Sequence, residues 1–161
     1  MTRFGRRDES LPDLIAEAGL AALADAGIER PDALVVAAMN PEEFTGAGNY
    51  ASLVNTHLGL SDVPALRVET ATSSGVAAVY TAFATIAAGI HRSVLVVGGE
   101  KMSHVPTPRV SICMSAGGPA WAPRLLCSSS RLASMPFARY SFTPLLHRPR
   151  GSGVRHARPS H

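Results

Sequence analysis

Beyond Glu100 the chain contains no aspartate or glutamate. All 12 acidic residues lie between Asp8 and Glu100, accompanied by six Lys/Arg, so this part carries a net charge near −6. From Lys101 onward there are nine Lys/Arg and a net charge near +9. At the roughly 12% acidic content of ordinary domains, about seven carboxylates would be expected there. Eight of the 12 prolines, both cysteines and the only tryptophan also fall beyond residue 100. A break this abrupt argues against two ordinary folded domains in tandem.

Other scarcities narrow the field. Two cysteines, Cys113 and Cys127, are too few for a disulfide framework and lack metal-ligand spacing. No metal site is therefore expected. The first seven residues carry charge but no following apolar segment of the kind that makes a signal peptide. No run approaches the roughly 18 apolar residues that a membrane span needs. The expectation is a soluble, cytoplasmic protein with no membrane partner. Neither a phosphate-binding P-loop nor a G-x-G-x-x-G turn after a strand is present, so nucleotide binding is not indicated.

What is present lies mainly before residue 103. Ser10-Leu11-Pro12-Asp13 has the cap and early proline of a helix start, with Leu14, Ile15, Ala18, Ala21, Ala22 and Leu23 as its apolar stripe and Gly27 as its stop. Leu34 to Met39 reads as a buried strand and Asn40 to Gly46 as a loop. Asn49 to Leu58 reads as a second helix, with Gly59 past its end. A short strand at Arg67 to Ala71 follows Pro64. Thr72, Ser73 and Ser74 then stand where hydroxyls accept from the free N–H groups of a first helical turn. Val76 to Ala88 is an Ala-rich helix with Tyr80, Phe83 and Ile86 three apart, as in a helix packed on most sides. Gly89 ends it, and Ser93 to Val97 is a continuous apolar run, as in a parallel strand covered on both faces. Alternating helices and strands imply right-handed crossovers, hence an α/β fold with a parallel-rich sheet and helices on both faces.

Val68-Glu69-Thr70-Ala71-Thr72-Ser73-Ser74-Gly75, the helix after it and the strand ending Val94 to Met102 resemble the nucleophile region of thiolases. These are the acetyl-CoA acetyltransferase family, and the likeness is to its sterol-carrier-protein-x branch. There the pattern runs V-E-N-A-C-A-S-G, an Ala-rich helix, then V-L-V-V-G-x-E-K-M. The resemblance covers about Thr2 to Met102. It implies a thiolase-like half-domain whose first strand would precede Met1, so that strand is expected to be missing. Without it, Leu34 to Met39 or Val94 to Val97 is expected to form an open sheet edge.

The resemblance also implies chemistry. Thiolases move acyl groups between coenzyme A thioesters, so an acyl-CoA is the implied substrate, lipid metabolism the implied setting, and no bound cofactor is implied. Family members dimerise around the nucleophile strand and helix, which implies a homo-oligomer or a thiolase-like partner. Thr72 occupies the position of the nucleophilic cysteine and is the candidate catalytic residue; the competing reading is a helix cap. A threonine hydroxyl is far harder to ionise than a thiol and needs a dedicated base. The Gly-His-Pro and Cys-x-Gly-Gly-Gly motifs of the family's second half do not occur here. An acyltransferase fragment that is inactive as this chain is the reading, with a non-catalytic partner subunit as the alternative. His57 and His104 are the histidines that remain as substitute bases.

The expected division is residues 1–110 as the thiolase-like domain and 111–161 as a basic, low-order tail. Its Arg, Pro, Ser and Gly bias is that of a reading frame translated out of register; a basic disordered tail is the other reading. Clustered arginine attracts phosphate, which makes a nucleic-acid-binding protein a third alternative. The tail lacks aromatic interleaving or a recognised module, so no nucleic-acid partner is expected. His147, His156 and His161 share this setting and are not read as ligands.

Overall fold

The computed structural model describes residues 2, 5–115 and 145–147. In chain order the elements are α1 (Leu11–Ala26), β1 (Ala33–Ala37), α2 (Pro41–Thr45), α3 (Tyr50–His57) and β2 (Ala65–Val68). They continue with α4 (Ser74–Ala87), β3 (Ser93–Gly98), α5 (Thr107–Ser115) and β4 (Leu145–His147). The four strands form one sheet in the order β2-β1-β3-β4. β1 is parallel to β2 and to β3, with Val36 level with both Arg67 and Val97. β4 runs antiparallel to β3.

α1 starts and stops where its end residues dictate. The Ser10 hydroxyl accepts from the Asp13 N–H at 3.3 Å, and Gly27 closes the helix in the left-handed region, at φ 63°. Side-chain alternation along the strands divides the core in two. Leu34, Val36, Leu95 and Val97 point to one face and pack with Leu11, Ile15 and Leu23 of α1 and Tyr50 and Val54 of α3. Ala33, Val35, Ala37, Val94 and Val96 point to the other and meet Ala78 and Ala82 of α4. Helices cover both faces, and the central strands are buried throughout. The α/β architecture with a parallel-rich sheet is therefore present.

Two close approaches fix the layers. A Cβ on Gly19 of α1 would stand 2.8 Å from Leu58 Cδ2 and 3.2 Å from Val97 Cγ1. At the sheet's end, a Cβ on Gly98 would stand 2.8 Å from the Ala37 carbonyl oxygen. At the opposite end the Asp32 carboxylate accepts the backbone N–H groups of Arg92 (2.7 Å) and Ser93 (3.0 Å), while the Ser93 hydroxyl accepts from the Asp32 N–H at 3.1 Å. This reciprocal clasp pins the starts of β1 and β3 together.

Several expectations are corrected. Residues 40–46 are not all loop, because Pro41 at the first helical position and Gly46 at φ 74° frame the short α2. Leu34 to Met39 is not an edge, since β1 lies between β2 and β3. Val94 and Leu95 are not an edge either, because β4 pairs with Ser93, Val94 and Leu95 on the other side of β3, whereas Val96 and Val97 have no strand partner there among the described residues. α4 is not packed on most sides. Val76, Tyr80 and Phe83 are 75%, 72% and 61% exposed, whereas the sheet buries Ala78 and Ala82 and partly covers Val79 and Ile86. α5 carries regular structure into the expected tail as far as Ser115. Beyond it only β4 is described, and the remainder of that expected region lies outside the described residues.

Candidate active site

In a parallel sheet, ligands sit beyond the carboxyl ends of the strands, where successive connections leave toward opposite faces. Here the chain leaves β1 toward α3 on one face and leaves β2 toward α4 on the other. The residues that follow the carboxyl end of β2 are Glu69, Thr70, Ala71, Thr72 and Ser73.

The turn is tightly held. Ala71 has φ 51°, a left-handed value that costs a non-glycine residue on the order of 1 kcal/mol. Backbone bonds from Ser73 N–H to Thr70 O (3.1 Å) and from Ser74 N–H to Ala71 O (3.2 Å) close it. The serine hydroxyls reinforce it. Ser73 donates to the Thr70 carbonyl at 2.7 Å. Ser74, which is buried, donates to the Ala71 carbonyl at 2.6 Å and accepts from the Thr70 N–H at 2.9 Å. The sequence pattern suggested hydroxyls accepting from the helix's first turn. They instead point back into the preceding turn, and Ser73, the N-cap, makes no side-chain cap bond. Glu69 to Ser73 are all exposed, and with both serines committed the Thr72 hydroxyl has no hydrogen-bond partner among the described residues.

The candidate bases do not reach it. The His57 ring donates from Nδ1 to Asp13 at 3.0 Å, across α3 and α1. His104 donates from Nε2 to the Phe44 carbonyl at 2.7 Å. Neither is bonded to the Thr72 turn. Asp13 also accepts the Ser10 hydroxyl, and that contact and His57 hold its carboxyl below the ordinary range. Cys113 falls on α5, and Cys127, His156 and His161 lie outside the described residues. Among the described residues no group of three or more His, Cys, Asp or Glu could hold a metal ion, and no helix is long and apolar enough to cross a membrane.

A polar cluster that the motif reading passed over lies beside the turn. Arg67 of β2 binds Glu69, at the turn's start, at 2.8 Å, and also Glu42 of α2. After β3, both carboxylate oxygens of Glu100 are buried, and the Tyr50 hydroxyl of α3 is buried without a hydrogen-bond partner among the described residues. Burial pushes the Glu100 carboxyl up to about 7, and Glu42 adds to the shift. The N–H dipoles of Asn40 and Met39 and the charge of Arg67 oppose it. Burial, with the charge of Glu100, likewise pushes the Tyr50 phenol up. Only the E-K-M ending of β3 marks this cluster in the sequence.

The family model for the thiolase N-terminal domain matches residues 1–118. An acetyl-CoA acetyltransferase of Methanothermobacter thermautotrophicus is 40% identical over 115 residues, covering 68% of this chain and 30% of the relative. One from Methanocaldococcus jannaschii is 35% identical over 144 residues, covering 88% and 36%. Among solved structures, the 3-oxoacyl-(acyl carrier protein) synthase III of Pseudomonas aeruginosa superposes with a TM-score of 0.55 at 33% identity, covering 66% of this chain and 33% of that one. The chain spans about a third of the length of these relatives.

Proposed function

The chain belongs to the thiolase family through its N-terminal domain, and from that premise we propose that the Thr72 turn is the acyl-accepting position of an acyltransferase acting on coenzyme A thioesters. In such a transfer the nucleophile adds to the thioester carbonyl, and the coenzyme leaves as its thiol with a proton. The observation that carries the reading is the strained turn, in which Ala71 at φ 51° and two buttressing serines hold an exposed Thr72 beyond the carboxyl end of β2. Strain of this kind persists where the surroundings over-determine it, often at functional sites. The names of the two acetyltransferase relatives support the acyl-CoA substrate class.

By itself the chain is expected not to complete the reaction. Among the described residues no histidine is bonded to Thr72, and none is placed to supply donors for a thioester oxyanion there. A missing oxyanion donor typically costs about 10²–10³ in rate and a missing general base about 10²–10⁴. The test is thioester cleavage of acetoacetyl-CoA by the 161-residue chain and by Thr72→Cys. No turnover by either is expected. The new cysteine should nonetheless be alkylated faster than Cys113 or Cys127, because a helix N-terminus favours the thiolate. Wild-type turnover would show that the chain is a complete catalyst, and slow alkylation of Thr72→Cys would remove Thr72 from the role.

The second reading, a subunit that works against a partner or a second copy, is favoured by the uncovered face of α4. Val76, Tyr80 and Phe83 lie on one side of that helix and are exposed, and the edge strand β2 beside it exposes Leu66. Contiguous apolar surface and an open strand edge both favour association.

A further inference from the structure

The turn that carries Thr72 is closed on itself, its bonds running among Thr70, Ala71, Ser73 and Ser74. Internal bonds fix the shape of a turn, not its tilt against the sheet. α4 holds its far side. On the near side, Glu69 is tied to the sheet by its 2.8 Å pair with Arg67 of β2. The two stand two apart where the chain leaves β2, the spacing that puts side chains on one side. A lone arginine would hold nothing firmly, because its long side chain has many rotamers to lose. Here the other arm of the guanidinium binds Glu42 of α2. α2 is held in turn. Phe44 is buried against Met39, Met102, Val105 and Val110, and its carbonyl accepts from His104 Nε2 at 2.7 Å. Contacts thus run unbroken from residues 102–110 through α2 and Arg67 to the start of the turn.

We propose that Arg67 is a positioning residue: by spanning Glu42 and Glu69 it sets the tilt of the Thr72 turn, and α2 is the post from which it is set. This role rests on the reading of Thr72 as the acyl-accepting position. A planar guanidinium binds two carboxylates at once in fixed directions, which the point charge of a lysine does not. The Arg67, Glu42 and Glu69 side chains are 25%, 43% and 42% exposed, so the pairs are partly in water and add little to stability. What they supply is direction. Position 72 lies just before the first turn of α4, and the field of a helix end falls off within one turn. A small change of tilt therefore changes how strongly an anion at position 72 is favoured.

The experiment uses the full 161-residue chain with Thr72→Cys as reporter and follows iodoacetamide alkylation against pH. Through-space charge and positioning give opposite signs for Glu42→Ala. Removing a negative charge alone would favour the thiolate and speed alkylation below the thiol's pKa. Losing the post that sets Arg67 should instead slow it about 3–10-fold over the same range, the thiol's pKa rising by about half to one unit. Arg67→Lys, which keeps the charge but not both bonds, should slow it likewise, while the denaturant midpoint barely moves in either variant. Faster or unchanged alkylation in Glu42→Ala would overturn the proposal, as would full reactivity in Arg67→Lys. A second readout leaves Thr72 in place: hydrogen exchange at the Thr70, Ser73 and Ser74 amides should quicken in Glu42→Ala and in Arg67→Lys. If the reporter thiol, with Arg67 and Glu42 intact, reacts no faster than Cys113 and Cys127, the acyl-accepting reading falls. The exchange rates then decide the role of Arg67 alone, and unchanged protection would overturn it.

Discussion

Single side chains decide more here than their exposure suggests. Asp32 is a surface carboxylate, yet it accepts two backbone N–H groups from 60 and 61 residues away. These bonds, from Arg92 first and then Ser93, hold its carboxyl below the ordinary range. A lowered carboxylate contributes stability above its unfolded pKa of about 3.8 and loses it as pH falls through the folded value. Asp32→Ala should therefore cost about 1–2 kcal/mol at neutral pH and less as the pH is taken below 4. Urea unfolding at pH 7 and pH 3 would check it, and equal losses at the two pH values would contradict the assignment. At the same scale the sequence was readable only in part. Ser10 and Gly27 announced the ends of α1 because cap chemistry is local. The direction in which Ser73 and Ser74 donate was not readable, because it depends on the left-handed Ala71, which no alanine signals in advance.

Among the elements, α1 and α4 show how far periodicity can be trusted. Apart from the exposed Ala21, the apolar stripe of α1 packs as its spacing implies, and Gly19 comes so close to Leu58 and Val97 that an added Cβ would force the Leu58 side chain to shift. Gly19→Val should press on Leu58 and Val97 and destabilise the chain by about 1–3 kcal/mol, despite the better helix propensity, with thermal unfolding as the readout. A neutral or stabilising result would mean that the two helices separate more easily than their packing indicates. The all-round apolar character of α4 was legible too, but not which neighbours cover it. Ala78 and Ala82 meet the sheet, whereas Tyr80 and Phe83 are largely exposed. β4 was invisible in the sequence, since three residues in a stretch without periodicity give no strand signal; it becomes a strand by pairing with Ser93, Val94 and Leu95.

For the molecule as a whole, the uncovered α4 face and the β2 edge lie on one side, and they make association the expected solution behaviour. Tyr80→Glu with Phe83→Glu should shift the chain toward monomer in sizing and light scattering at micromolar concentration, with the fold unchanged because both residues are exposed. Unchanged association would place the contact elsewhere. The order of the strands has a separate consequence for how the chain is made. β1 is synthesised first, yet both of its neighbours come later, and the Asp32 clasp with Ser93 spans 61 residues. At a ribosomal pace of about 5–20 residues per second, β1 waits roughly 1.5–6 seconds for β2 and roughly 3–12 seconds for β3. During that interval the nascent segment is a bare, wholly apolar strand, and a chaperone that shields it until β3 emerges would raise the yield of native chain more than any stabilisation of the finished fold.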